Sequence, residues 1–465
     1  MDGIGDVNGD GWDDLVVGAY WSNPGGRTRA GSTYIVFGGP GVGSTGMLLL
    51  GTLDGTNGFV IHGIDADDGS GWSVSGAGDV NGDGVHDVLI GAPDARPAGA
   101  RSGEVYIVFG RNTAVDGAFS PTLELSSLDG ENGVVLTGPR SDAWVGGALA
   151  ALGDVNSDGV DDIGIGKRLN LPRPGANEAY VVYGRDAGAD GPFPAVIALG
   201  SLDGVAGFKI TCAARAGEIG GGFASAGDIN HDGAPDFLVG AHLVDVGGLV
   251  DAGAVYIIYG RTGADAPFPA SLHAPSLDGT DGFILPGYEA SMAVGRAPTG
   301  GSDLNGDGVD DIALHIAPSA VVVYGRDAAA DGAFPAVLDI STPDASRGVR
   351  ITGVVPNDYA GLPEFAGDLN DDGFEDLVVR SPFQTSNGLA YAGEVYVLFG
   401  RERRLQMLCP ADVDGDAVVD ASDFVVVASH YGQHVTPGTD GDLNGDGVVD
   451  ASDFVILAAN FGCSE

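Results

Sequence analysis

Oxygen-bearing side chains recur in this chain at one spacing: Asp, Asn, Asp and Asp at the first, third, fifth and ninth places of a short segment. Six such segments begin at Asp6, Asp79, Asp154, Asp228, Asp303 and Asp368. Hard divalent cations bind oxygen, and calcium takes about six to eight oxygens at roughly 2.3–2.6 Å. A tight loop supplies them from alternate places, with a backbone carbonyl at the seventh. The sets are Asp6, Asn8, Asp10, the Trp12 carbonyl and Asp14; Asp79, Asn81, Asp83, the Val85 carbonyl and Asp87; Asp154, Asn156, Asp158, the Val160 carbonyl and Asp162. The next three are Asp228, Asn230, Asp232, the Ala234 carbonyl and Asp236; Asp303, Asn305, Asp307, the Val309 carbonyl and Asp311; Asp368, Asn370, Asp372, the Phe374 carbonyl and Asp376. Glycine at the sixth place, as at Gly11, allows the positive φ of a sharp turn. An Asn/Asp-rich turn without metal is the plain alternative. Six copies at near-constant period weigh against it, because packed carboxylates without a cation repel.

The twelfth place separates two loop types. An EF-hand loop carries an acid there, at the start of a helix. In the six loops that place is apolar, as at Val17 and Ile90, and belongs to a strand. They read as hairpin loops closed at the ninth place. Two further loops, 30 residues apart, do carry the twelfth acid. They are Asp412, Asp414, Asp416, the Val418 carbonyl, Asp420 and Asp423, then Asp442, Asn444, Asp446, the Val448 carbonyl, Asp450 and Asp453. Helices are predicted from Ser422 to about Tyr431 and from Ser452 to about Phe461, with Ser as cap and Asp423 and Asp453 favourable to the helix dipole. Gly432 and Gly462 end them. Ala417 replaces glycine at the sixth place of the first loop, which predicts weaker binding there. The expectation is about eight calcium sites.

These loops need strands and helices to hold them. The six first-type loops start 73, 75, 74, 75 and 65 residues apart. Each runs into an apolar strand such as Asp14-Leu-Val-Val-Gly-Ala or Asp87-Val-Leu-Ile-Gly-Ala. A second strand ends in Phe/Tyr-Gly, as in Val105 to Gly110 and Val395 to Gly400. A Ser-Leu-Asp-Gly loop or close variant precedes a third strand such as Gly58-Phe-Val-Ile, and a small-residue strand leads to the next loop. Four short strands per unit predict an all-β propeller of repeated blades. The first unit is expected to lack its innermost strand and the last its outermost.

Composition agrees. Glycine is abundant, 81 of 465 residues, without a collagen period, which means many tight turns. The net charge of −44 repels phosphate backbones, so nucleic acid is a poor partner. Only Lys167 and Lys209 are lysines among 21 basic residues. No apolar run of about 18 residues predicts a membrane span. Of three cysteines, Cys409 and Cys463 bracket the last two loops, where a disulfide would suit a secreted protein and unpaired thiols are the alternative. No leader precedes Met1, and the first loop follows almost at once, so a truncated N-terminus is expected.

The Asp-x-Asn-x-Asp-Gly loops, the Asp-Leu-Val-Val-Gly-Ala strands and the Val-Tyr-Ile-Val-Phe-Gly strands resemble the FG-GAP repeats of the integrin α-subunit propeller and its bacterial relatives. The resemblance covers roughly residues 1–404. It implies a propeller, typically seven-bladed, with calcium in the loops and a recognition role. Six loops leave a ring of six or seven open. Residues 405–465 resemble a type I dockerin, a small all-α, EF-hand-like module. That resemblance implies docking onto a cohesin-like protein through the helices and through Ala421-Ser422 and Ala451-Ser452. A spacer or stability cap is the alternative.

No catalytic site is visible. The eight histidines form no zinc spacing, and no Gly-x-Ser-x-Gly elbow occurs. Gly41, Gly43 and Gly46 match a phosphate-loop pattern, but Pro40 and the lack of a following helix make this a plain loop. His231 reads as an exposed insert in its loop. Trp12, Trp72 and Trp144 could stack on sugars, though packing between blades is the simpler reading. The expected function is a secreted, calcium-binding recognition or adhesion protein, not an enzyme. Its propeller is the platform, with loops 93–103, 167–177 and 242–252 as contact surfaces for an extracellular protein or glycan. The alternatives are a carbohydrate-binding propeller in a polysaccharide-degrading assembly, or the non-catalytic part of a larger extracellular enzyme.

Overall fold

The computed structural model describes all residues except 45, 169–176, 213–218, 264–266, 342–346, 353–360, 383–392, 402–412, 414–420, 436–440, 444–446 and 461–465. Two compact units meet in the chain at Gly400 and Arg401.

The first unit is mostly β, in six small sheets. Val, Ile and Tyr fill its strands because branched and aromatic side chains pack well on a pleated surface. In the second sheet Val74–Gly78 pairs with Asp87–Ala92, which pairs with Glu104–Val108, which pairs with Gly133–Thr137, all antiparallel. The other sheets follow this order. The innermost strands of all six, among them Gly3, Gly76, Ala150, Ala224, Thr299 and Glu364, line one cavity of about 640 Å³. Small residues are required there. A Cβ on Gly91 would fall 2.1 Å from the Gly146 carbonyl oxygen of the next sheet.

Neighbouring sheets bury apolar side chains between them. Val105, Ile107 and Phe109 of the second sheet pack on Ile163, Ile165 and Tyr180 of the third. The same face-to-face arrangement joins the first sheet to the second, the third to the fourth, the fourth to the fifth and the fifth to the sixth.

Three features depart from the sequence expectation. A short segment of the following repeat adds a parallel strand beyond the outermost strand of three sheets: Thr122–Glu124, Val196–Ala198 and Ser271–His273. Each segment lies in a stretch that reads as loop, which hides it in the sequence. Next to it Phe119, Phe268 and Phe334 stack on Phe59, Phe208 and Phe283 with centroids 4.4, 4.5 and 4.3 Å apart. The guanidinium groups of Arg111, Arg261 and Arg326 lie over the stacked rings at 4.4, 4.8 and 4.2 Å, a cation–π arrangement. The first unit does not lack its innermost strand: Asp2–Gly3 pairs with Leu15–Ala19, using just two residues. The sixth sheet has three strands among the described residues: Leu362–Phe365, Leu377–Ser381 and Glu394–Leu398.

In the second unit, helices Ala421–Ser429 and Ala451–Asn460 pack around Val427, Val449 and Leu457. Each begins one residue before its predicted start. The cap of the second is Asp450, not Ser452: its Oδ1 accepts the Ser452 amide at 2.8 Å and the Ser452 hydroxyl at 2.6 Å. A carboxylate preceding the helix reaches the second amide better than a hydroxyl already inside the first turn. Gly432 has φ 79°, as a helix-ending glycine should, while Gly462 lies outside the described residues.

Candidate calcium loops

Each of the six first-type loops joins the innermost strand of a sheet to the next strand. All six share one hydrogen-bond scheme. The first-place carboxylate accepts the amide of the sixth-place glycine: Gly11, Gly84, Gly159, Gly233, Gly308 and Gly373 donate to Asp6, Asp79, Asp154, Asp228, Asp303 and Asp368 at 2.7–2.8 Å. The ninth-place Asp closes the loop. Its Oδ2 accepts the second-place amide, as Asp87 does from Val80 at 3.0 Å and Asp376 from Leu369 at 2.8 Å. Its Oδ1 accepts the amide of the glycine ending the adjacent strand, as from Gly110 and Gly400, both at 2.9 Å. Asp14, Asp162, Asp236 and Asp311 do the same.

The loops also share two left-handed residues. The sixth place was expected to be one. The fourth is the other: Gly9, Gly82, Ser157, His231, Gly306 and Asp371 all have φ between 57° and 73°. Three of these carry a side chain, so residue type at the fourth place gives no uniform signal. His231 is exposed there.

Burial of these acids is electrostatically unfavourable by itself. Asp87, Asp162 and Asp236 have carboxyl pKa values raised well above the usual range, chiefly by burial, with added repulsion from the first- and fifth-place acids of the same loop. Burial pushes Asp14 up to about 6 and also raises Asp83 and Asp158. Asp368, fully exposed, is instead lowered by backbone amides, Gly373 first.

The donor set fits calcium. It contains oxygen only, and each carboxylate oxygen that accepts an amide keeps a second lone pair. The buried Oδ1 of Asn8 has no hydrogen-bond partner among the described residues. The carboxylates stand around each loop without converging: among the described residues no three Asp, Glu, His or Cys groups form a closed shell. Bound calcium would supply positive charge that relieves the repulsion among, for example, Asp79, Asp83 and Asp87. The protein's part is to fix the loop so that Asn81 and the Val85 carbonyl stand beside them.

In the second unit the closing Asp moves to the twelfth place and keeps the same partner. Asp423 Oδ1 accepts the Val413 amide at 2.6 Å, and Asp453 Oδ1 accepts the Leu443 amide at 2.7 Å. Both are the amides of second-place residues. Both carboxylates are buried. Gly447 donates to Asp442 at 2.8 Å, as the sixth-place glycines do in the first unit. Val448 and Asp450 are described; Asp412, Asp414, Asp416, Val418, Asp420, Asn444 and Asp446 lie outside the described residues. So do Cys409 and Cys463, while Cys212 is a buried free thiol against the Tyr256 hydroxyl at 3.7 Å.

The tryptophans divide. Trp72 lies edge-on to Tyr20 with centroids 4.7 Å apart and under the Arg168 guanidinium at 3.6 Å. Trp144 lies under Arg101 at 4.8 Å. Both rings therefore have partners within the fold, whereas Trp12 is exposed on the first loop. Gly41, Gly43 and Gly46 occupy turns with no helix after them. No helix among the described residues is long and apolar enough to cross a membrane.

Comparison with known proteins places these loops in families. The FG-GAP repeat model matches residues 3–36, 70–108, 220–258 and 365–398, and the dockerin type I domain model matches residues 410–461. Both are calcium-binding families, and neither is a catalytic domain. The repeats at Asp154 and Asp303 lie outside the FG-GAP matches yet fold with the same hydrogen bonds. Human phosphatidylinositol-glycan-specific phospholipase D is 30% identical over 185 residues, 38% of this chain and 19% of the relative. Integrin alpha pat-2 of Caenorhabditis briggsae is 28% identical over 252 residues, 52% of this chain and 17% of the relative. Mouse integrin alpha-IIb is 31% identical over 178 residues, 35% and 14%. The matches thus span less than a fifth of each of these relatives. A solved type II cohesin-dockerin domain from Bacteroides cellolosolvens is 34% identical over 12% of this chain and 88% of its own, with a TM-score of 0.11. The chain is an FG-GAP repeat protein, with integrin α subunits among its relatives, that also carries a dockerin type I domain.

Proposed function

We propose that this is a secreted, calcium-binding recognition protein. Residues 1–404 act as a propeller that presents a binding platform, and residues 405–465 act as a dockerin that anchors it to another protein. The observation that supports this most is the shared closing scheme of the six loops, in which an otherwise unfavourable cluster of acids is held in place six times over. Evenly repeated acids of this kind gain from a cation present at roughly millimolar level outside cells. About eight calcium ions are assigned, one to each loop of the sets given above. The platform's ligand is an extracellular protein or glycan, met through loops such as 93–103 and 242–252. The dockerin's partner is a cohesin-like module, met through its helices and through Ala421-Ser422 and Ala451-Ser452.

A second reading has one observation behind it. The similarity to a phospholipase D shows that such repeats also occur in enzymes. On that reading the chain serves as the non-catalytic part of a larger extracellular enzyme.

The test compares the full chain with a chain ending at Arg404, each immobilised with calcium or with a chelator. Purified cohesin modules and a glycan array are the probes. Calcium-dependent cohesin capture by the full chain alone supports the anchor. Glycan binding by both chains moves the platform toward the carbohydrate reading. No capture of either probe in calcium counts against recognition and toward the enzyme-accessory reading.

A further inference from the structure

Six sheets whose innermost strands line one cavity have six places where neighbours could meet. Apolar cores fill five of them. Each core is built alike. One wall is the strand ending in Phe/Tyr-Gly, through side chains one, three and five places before the glycine. In the first four sheets these are Phe37, Ile35 and Thr33; Phe109, Ile107 and Val105; Tyr183, Val181 and Ala179; Tyr259, Ile257 and Val255. All are at most 8% exposed. The equivalents in the sixth sheet are Phe399, Val397 and Val395, at 58%, 44% and 64%.

A loop residue on the same side repeats the contrast. The second-place residues Val7, Val80, Val155, Ile229 and Leu304 are at most 9% exposed, but Leu369 is 55% exposed. In the earlier repeats the cover is the next repeat. The arginine after its Phe/Tyr-Gly donates its amide to the second-place carbonyl: Arg111 to Val7 at 3.1 Å, Arg185 to Val80 at 2.8 Å, Arg261 to Val155 at 2.8 Å and Arg326 to Ile229 at 3.0 Å.

The first sheet shows the other wall. Val88, Ile90 and Tyr106 of the second sheet are buried against the first, while their equivalents Leu15, Val17 and Tyr34 are only partly buried. The two open faces are therefore the two halves of one missing interface pair. They are apolar on both sides, and one sheet has two faces to offer them.

We propose that the face formed by Leu369, Val395, Val397 and Phe399 is a docking surface for a single further β-sheet of this chain's own repeat type. Its second face would cover Leu15, Val17 and Tyr34, and its Phe/Tyr-Gly-Arg turn would donate to the Leu369 carbonyl. The occupant follows from continuity with the five cores already present, whose walls alternate in the same order. A second whole copy suits the site less, because it brings six sheets to a place whose walls match the two faces of one. The inference stands apart from the proposed recognition role, since it holds whatever the platform binds.

The test joins a copy of residues 74–148 ahead of Met1 of the full chain and compares it with the chain itself. The expected result is a rise in melting temperature of several degrees, roughly what a few kcal/mol give in a domain of this size. Val397→Asp should abolish that rise in the extended chain and shift the unextended chain by no more than about a degree. An unchanged melting temperature with equal Val397→Asp effects in both chains overturns the proposal. So does a Val397→Asp loss in the unextended chain as large as that of Ile107→Asp, because the face would then already be covered. Sedimentation of the unextended chain as a dimer that Val397→Asp splits makes a second copy the occupant, and equally overturns it.

Discussion

Residues 103–110 read Gly-Glu-Val-Tyr-Ile-Val-Phe-Gly, and residues 393–400 read Gly-Glu-Val-Tyr-Val-Leu-Phe-Gly. Both form the third strand of their sheet, and in both the tyrosine hydroxyl donates to the glutamate two places before, at 2.5 and 2.6 Å. Their surroundings are opposite. Val105 and Ile107 are buried against the third sheet, while Val395 and Val397 face no described sheet. The loops behave likewise: Asn81 is buried and Asn370 exposed. Local sequence thus decides strand, loop and closing hydrogen bonds, and the neighbouring repeat decides burial.

The largest effect that would sharpen the comparison comes from charge in these twin strands. Val105→Asp puts an unpaired carboxylate into a filled core and should cost about 3 kcal/mol or more, whereas Val395→Asp should cost under about 1 kcal/mol. Denaturant melts of the two variants read the difference. Equal losses would break the comparison.

The closing carboxylates should not differ. Asp87 and Asp376 are both buried and each accepts two amides. Asp87→Ala and Asp376→Ala, measured in chelator to remove any metal contribution, should each cost about 1–3 kcal/mol through unpaired donors. A much smaller loss at Asp376 would mean that the neighbour, and not the loop itself, holds the closing residue.

A smaller effect distinguishes covered from open acids by pH. Asp68 is buried, and its pKa is pushed up to about 7 by burial first, then by Glu104 and Asp65, with Arg96 and the Asp65 backbone opposing. The folded state therefore holds a proton that the unfolded state has lost. Stability from this group should fall as pH rises from about 4 to about 7. Asp68→Asn should flatten the slope of stability against pH in that window. An unchanged slope would show that Asp68 titrates as an exposed acid does.

Much of this arrangement is legible in the sequence for physical reasons. The Asp, Asn and Gly places of the loops are set by oxygen donors and positive φ, so their residue types repeat. The closing role of Asp14 and Asp87 at the ninth place, and of Asp423 and Asp453 at the twelfth, follows from where strand or helix begins. The left-handed fourth place is not legible, because Ser157, His231 and Asp371 stand where glycine does elsewhere. Nor are the parallel strands Thr122–Glu124, Val196–Ala198 and Ser271–His273, since three residues are too few to show alternation. The Asp450 cap escapes because the sequence pattern sets the helix start one residue late. The exposure of Val395 and Val397 cannot be read at all, because a strand's own pattern is silent about what packs on it.

The central claim is that the repeated loops hold calcium and that the fold depends on it. The most direct measurement is a calorimetric calcium titration of the chelator-stripped full chain, with melting temperature followed in parallel. The account predicts saturation by about millimolar calcium with roughly eight ions bound, and a melting temperature that climbs with calcium because binding favours the folded state. Absence of binding heat, together with the same melting temperature in calcium and in chelator, would contradict it.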